Sequence, residues 1–297
     1  MKKYIYYCVL VCLLQPCFTY ALDVIHYNKT HAPTAQRDNY PLVILSTALE
    51  KTKPQYGDYL IEFSPLLLKR NRALRALQLG EKLNVYAAPS RKKWEDVLTP
   101  IYFPIYKGLL SYRRLLINKD DQHKFKKINN IDQLKVLKAG LGQQWSTTEI
   151  LRKNKFNVIT SSSYKGLFGM LNLHRFDYLT RDITKVYYEF EARESKFPDM
   201  VIEDTIVLNI PLPIFLFVSP TQPRLKQRIE DGLSLMQKDG SFDELFNKYY
   251  ATKIKKTDIA HKKVFFLENN QIKEHPIYNN DKLWINLEIA DNTTNPL

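Results

Sequence analysis

Two successive runs of short strands alternating with amphipathic helices, closed by one strongly apolar strand, restrict this chain to an open α/β architecture. Leu22-Asp23-Val24-Ile25-His26-Tyr27 alternates apolar and polar residues and reads as a strand. Residues 39–52 carry Leu42, Val43, Leu45, Ala48 and Leu49 at helical spacing. Residues 59–67 are strand-like. Residues 69–79 predict a helix with Leu74 and Leu77 inward, Arg70, Arg72 and Arg75 outward, and Gly80 as its stop. Residues 83–86 give a third strand, so the order is β-α-β-α-β. The second run starts with a strand at 112–117, a short helix at 131–137 and a strand leading to Gly142. Ser146-Thr147-Thr148-Glu149 then has the capping residues and early acid of a helix start. A strand at 157–160, a helix at 164–174 and a strand at 176–179 complete it.

The apolar strand is 214–218, reached through Pro211-Leu212-Pro213. A long helix at 223–238 turns Leu225, Ile229, Leu233 and Met236 inward, and a short helix at 242–250 follows Asp239-Gly240-Ser241. Residues 253–256 read as a basic linker to a tail ending at Leu297. These 297 residues, 44% hydrophobic and 25% charged, suit one large domain or two lobes and exclude a disordered or fibrous chain.

The first residues set the compartment. Met1-Lys2-Lys3, an uncharged apolar run to Leu14 and Thr19-Tyr20-Ala21 form the three parts of a secretory signal, with cleavage expected after Ala21. That run is too short to span a bilayer, and no later stretch reaches the ~18 apolar residues of a spanning helix. Cys8, Cys12 and Cys17 all fall within the signal, so the processed chain has no disulfide, no cysteine-ligated metal and no thiol nucleophile. Lipidation at Cys17 would need small residues ahead of it, where Leu14-Gln15-Pro16 stands instead. A periplasmic location and a monomer are expected.

The net charge of +13, from 44 basic against 31 acidic side chains, is scattered over several elements. In an exported chain this reads as solvated faces rather than a nucleic-acid surface. No GxGxxG, phosphate loop, HExxH or GxSxG occurs, and the six histidines lack ligand spacing. No metal or cofactor is expected. Two arginines stand apart. Arg91 follows Pro89-Ser90 directly after a strand, where an open sheet forms its ligand crevice. Arg181 follows the strand at 176–179 and opens a turn with Asp182. A guanidinium so placed can hold a carboxylate through two parallel hydrogen bonds, or can form a structural ion pair, for Arg181 with Asp182 or Glu189. Thr147 and Thr148 at a helix start can offer hydroxyls and amides to an anion, or serve only as caps.

The ordered set of motifs resembles the extracytoplasmic solute-binding proteins of the polar amino-acid type (family 3), which have the type II periplasmic binding fold. It comprises Ile131-Asp132-Gln133-Leu134, Ala139-Gly140-Leu141-Gly142, Trp145-Ser146-Thr147-Thr148, Leu167-Phe168-Gly169-Met170-Leu171, Arg175-Phe176-Asp177-Tyr178, the strand from Ile214 to Ser219 and Asp239-Gly240-Ser241-Phe242. Arg91-Lys92-Lys93 falls where that family keeps an arginine for the ligand's α-carboxylate. Where the family places an aspartate for the α-amino group, this chain has Arg181 ahead of Asp182. Lys107-Gly108-Leu109-Leu110-Ser111-Tyr112-Arg113 is similar to a subgroup described only as transporter substrate-binding domain proteins, whose ligands are poorly defined.

The resemblance implies two α/β lobes, residues 22–112 with 214–297 and residues 113–213, closing on a solute about two crossovers near Ser111-Tyr112 and near Pro211 to Pro213. Val264 to Leu267 and Trp284 are expected to pack on lobe one. The expected ligand is a small carboxylate-bearing, amino-acid-like solute, passed to an ABC-type permease of the inner membrane. Arg91, Arg181, Trp145, Thr147, Thr148, Tyr112 and Ser90 are the expected contacts. The alternatives are a sensory module acting through a partner protein and an enzyme on the same fold, for which Glu149 and Asp182 are the only candidate acids.

Overall fold

The computed structural model describes residues 22–28, 40–68, 70–269, 277, 280–285 and 287. The expected leader over residues 1–21, with its three cysteines, lies outside the described residues. No described helix is long and apolar enough to cross a membrane.

The first sheet region begins with β1 (Asp23–Tyr27), parallel to β2 (Tyr59–Phe63). Asn84 ties β1 to the next strand. Its N–H donates to the His26 carbonyl at 3.0 Å, and its side chain bridges His26 N–H and the Val24 carbonyl at 2.8 and 2.7 Å. That strand is β3 (Val85–Pro89), and β11 (Ile214–Val218) runs antiparallel between β3 and β4 (Thr99–Ile101). All five residues of β11 are buried, which is why its sequence is continuously apolar rather than alternating.

The second sheet is built on β5 (Tyr112–Asn118), β6 (Lys138–Gly142), β7 (Asn157–Ser161) and β8 (Tyr178–Asp182). β6 is parallel to β7 and β8, whereas β5 opposes β8. β9 (Met200–Ile202) and β10 (Ile206–Asn209) pair antiparallel with β5. By hydrogen bonding the first region is two small sheets, β1–β2 and β3–β11–β4, taken together as the first sheet; β11 is its reversed strand, as β5 is in the second, and each starts where the chain has just crossed. The crossings run side by side: Ile210 N–H donates to the Ser111 carbonyl at 2.8 Å and Leu212 N–H to Ser111 Oγ at 3.0 Å.

The cores follow from strand and helix periodicity. β5 sends Leu115 and Ile117 into one cluster with Leu141, Ile206 and Leu208, and Leu116 into another with Leu167, Phe168 and Leu179. A larger cluster holds Ile25, Leu45, Leu77, Phe215, Phe217, Ile229 and Leu233. The helix Tyr40–Lys51 contributes Ile44, Leu45, Ala48 and Leu49 to it, and the helix Pro223–Lys238 the four inward residues expected. These helices touch at Gly232, where a Cβ would lie 2.3 Å from the Ala48 carbonyl oxygen. Gly→Ala in an open helix gains about 1 kcal/mol. Here the backbone must part, so Gly232→Ala is expected to lose about 1–3 kcal/mol. A lowered urea midpoint checks this, and a raised one refutes the close packing.

Three expectations need correction. Residues 253–256 are not a linker: they finish the 17-residue helix Ser241–Thr257. Their lysines sit at its C-terminal end, where the helix dipole favours cations, and Asp258 ends it in a left-handed conformation (φ 51°). β8 runs on to Asp182, so Arg181 lies within a strand, opposite Arg114, rather than in a turn. The tail, expected on the first core, does not pack there alone. Its strand β12 (Lys263–Phe266) pairs in parallel with β10 of the second sheet. Successive side chains alternate, so Val264 and Phe266 join the larger cluster while Phe265 and Leu267 join the cluster on the second sheet. Trp284 does lie on the first core, covering Gly108, whose φ of +74° also excludes other residues.

Candidate functional site

Where elements of the first sheet meet the second, two arginines converge on one helix start. Arg91 is extended (φ −150°, ψ 139°) between β3 and the one-turn helix Lys92–Glu95. Its Nε donates to Ser146 Oγ at 3.0 Å. Arg70 opens the helix Arg70–Leu79 after β2. Its Nη1 donates to the Gln144 carbonyl at 3.0 Å and reaches the same Ser146 Oγ at 3.5 Å. Ser146 begins the helix Ser146–Lys153. Burial lowers the pKa of both guanidiniums; at Arg91 the neighbouring Arg70 adds to this and Glu149 opposes it, and at Arg70 Tyr86 opposes it. Among the described residues neither arginine has a carboxylate at ion-pair distance.

The first turn of that helix is unevenly satisfied. Thr148 Oγ1 donates to the Gly142 carbonyl at 2.8 Å. Thr147 is 3% exposed, and its Oγ1 has no partner among the described residues. Trp145, the N-cap residue, makes no side-chain cap. Its indole lies against Gly142, where a Cβ would come within 2.4 Å of the ring. Glycine at the end of β6 thus sets where the indole rests.

Arg181 lies over the Trp145 ring, its guanidinium centred 4.6 Å from the indole. Arg181 is buried and donates through Nε and Nη2 to the two carboxylate oxygens of Glu189. Tyr164 adds its hydroxyl to Glu189 Oε1 at 2.8 Å. Burial disfavours the Arg181 cation, but Glu189, with Asp182 and Tyr164, outweighs it and raises its pKa. Burial likewise pushes the Asp182 carboxyl up, while Lys185, Arg113, Arg181 and the Thr184 hydroxyl hold it below its ordinary value. Burial pulls Arg113 down to about 10, with Asp182 opposing. Arg113, Arg181, Asp182 and Glu189 thus form a compact internal charge network.

Of the expected contacts, Arg91, Trp145, Thr147 and Thr148 gather around the helix start. Arg181 stands behind Trp145 with its charge taken up by Glu189. The Ser90 hydroxyl donates to Glu95, which also accepts from Tyr102 at 3.1 Å, and Ser90 N–H donates to the Pro213 carbonyl at 3.0 Å. Ser90 therefore fixes the turn that presents Arg91. Tyr112 is buried in the first core at the crossing, its carbonyl receiving Ile183 N–H at 3.1 Å. Arg70, read from the sequence as outward, is the residue missed. Arg72 and Arg75 are exposed, but Arg70 is half-buried. The available signal was topological: like Arg91, it sits in the connection following a strand. Glu149 pairs with Lys153 at 3.3 Å. The described residues contain no His/Cys/Asp/Glu group that could hold a metal.

No protein-family model and no curated protein matches the chain. Solved structures do. An arginine-specific periplasmic binding protein of Salmonella typhimurium aligns over 77% of this chain and 99% of its own, at 16% identity and TM-score 0.54. The substrate-binding protein of an amino acid ABC transporter aligns over 78% of this chain and 100% of its own, at 14% identity and TM-score 0.51. The chain has the type II periplasmic binding fold. The same fold aligns it with a histidine kinase sensor domain similar to periplasmic binding proteins, over 78% of this chain and 96% of the other, at 14% identity and TM-score 0.53. On this fold Arg70 and Arg91 come from elements of the first sheet, and Ser146, Thr147 and Trp145 from the second.

Proposed function

We propose that the protein is an extracytoplasmic solute-binding protein that captures a small carboxylate-bearing solute between two lobes and delivers it to an ABC-type permease. One observation carries the reading: Arg70 and Arg91, on one side of the crossings, meet the start of helix Ser146–Lys153 on the other. A solute anion inserted there would touch both sides and favour the closed arrangement. The lobes are residues 22–112 with 214–297 and residues 113–213, with β12 spanning the two. Export after cleavage at Ala21 places the protein in the periplasm as a monomer. Arg91, Thr147 and the Trp145 face are the assigned contacts, with Thr148 shaping the turn. Arg181 positions Trp145.

A charge-assisted hydrogen bond is worth roughly 1.5–3 kcal/mol. Arg91→Ala is therefore expected to weaken solute binding about 10- to 100-fold. Calorimetry on the ligand retained by the purified protein measures this, and unchanged affinity rejects the site. The sensor-domain alignment supports a second reading, in which the bound form reports to a partner protein. Solute-dependent stimulation of ATP hydrolysis by the cognate permease in vesicles favours transport, whereas its absence favours sensing.

A further inference from the structure

We propose that this site takes a small dianion lacking an ammonium group. The inference rests on the solute-binding reading and narrows its ligand. Three observations on the cation side carry it. Arg70 and Arg91 both reach Ser146 Oγ, at 3.5 and 3.0 Å, so two guanidiniums share one small volume. Among the described residues no carboxylate pairs with either. Burial disfavours both cations, and at Arg91 the neighbouring Arg70 adds to this while Glu149 only partly offsets it, so an incoming anion meets two cations that burial has left poorly solvated.

The helix start adds a third source of positive potential. Ser146–Lys153 is long enough to carry one at its N-terminus. Buried Thr147 sits in that first turn with an Oγ1 that has no partner among the described residues, a hydroxyl suited to an oxyanion. Glu149 partly offsets Arg91 but, among the described residues, lies at ion-pair distance from neither guanidinium, so an anion with two charged groups can engage both arginines directly.

The acid side is equally restrictive. A zwitterionic ligand needs a carboxylate for its ammonium. Glu189 is held by Arg181 Nε and Nη2 and by Tyr164. Asp182 accepts from Thr184 at 2.5 Å, is buried, and stands in the field of Lys185, Arg113 and Arg181. Glu149 is turned to Lys153. An ammonium group would have to share a carboxylate that these cations and hydroxyls already engage, whereas a dianion needs none.

Succinate and L-aspartate differ only by the ammonium group, and inorganic phosphate separates a compact oxyanion from a dicarboxylate. Calorimetric titration of the mature protein with these three and with L-glutamine tests the proposal. Succinate or phosphate is expected to bind at least about 10-fold tighter than L-aspartate and L-glutamine. Loss of one charge-assisted bond in Arg70→Gln is expected to weaken that dianion about 10- to 100-fold. Arg70→Lys should recover part of the loss, and an unchanged melting temperature shows that the variants are folded. Tighter binding of L-aspartate or L-glutamine overturns the dianion and leaves the solute-binding reading intact. So does a dianion affinity indifferent to Arg70→Gln. Failure of all four probes also overturns it. The solute-binding reading is then judged separately, by whether native mass spectrometry finds a retained small molecule.

Discussion

Arg228→Met is expected to lower the stability of this protein by about 3–5 kcal/mol, the usual cost of removing one partner of a buried ion pair. Arg228 is fully buried in the helix Pro223–Lys238. Nη1 donates to Asp23 Oδ2 at 2.6 Å and to the Asp58 carbonyl at 3.3 Å. Nη2 donates to the Gly57 and Leu49 carbonyls at 2.6 and 3.3 Å, and Nε to Thr52 Oγ1 at 3.3 Å. The guanidinium also lies between Tyr56 and Tyr59, 5.7 and 5.5 Å from their ring centres. One side chain therefore closes the C-terminal end of helix Tyr40–Lys51 and fastens it to β1. Methionine fills the volume but takes the donor from the Gly57 carbonyl and weakens the bonding of the Leu49 and Asp58 carbonyls, and the Asp23 carboxylate keeps only its contact with Arg224. Arg228→Lys should fall nearly as far, because a single ammonium cannot satisfy acceptors spread across a planar fork. Thermal unfolding reads the effect as a fall of roughly 10 °C. A fall within about 2 °C would show that the network contributes little.

Glu189→Gln is the second large expected effect, again about 3–5 kcal/mol. The substitution is nearly isosteric, so packing is kept, while the charge and one of the two accepting oxygens are lost. Arg181, with only 7% of its surface exposed, then holds its charge without its paired carboxylate, beside a second buried cation, Arg113. Asp182 remains in the neighbourhood but is already shared with Arg113 and Lys185. Removing the charges together distinguishes an ion-pair effect from a packing effect. The double variant Arg181→Met, Glu189→Leu should recover most of the loss, since replacing a whole buried pair by apolar side chains is often neutral. Urea unfolding of the two single variants and the double variant measures the coupling. Additive losses would mean that the pair is not coupled. Because Arg181 supports Trp145, Glu189→Gln should also weaken solute binding, without touching the solute.

Much of the fold was legible because it is written in short-range periodicity. The strand at 214–218 shows its burial on both faces through an unbroken apolar run, and the inward residues of helix Pro223–Lys238 recur at helical spacing. Arg91 was legible too, because its place directly after a strand is a local fact. The same pattern held a signal that went unread. Arg228 lies three residues after Leu225, on the apolar face of its helix, where a charged residue must have buried partners.

What the sequence by itself determined is the order of strands and helices, hence an α/β chain with a doubled unit, and the arginine after β3. Those features depend on residues a few positions apart. Only the tertiary structure decided that Arg70 turns inward to Ser146, that Arg181 gives its charge to Glu189, and that β12 completes the second sheet. The reason is range. Arg228 meets Asp23 across 205 residues and Arg70 meets Ser146 across 76. A charged side chain on a helix is compatible with water or with a partner, and periodicity does not distinguish them. The choice is made by burial, which removes the water and makes an unpaired charge costly, and burial is set by how the sheets come together.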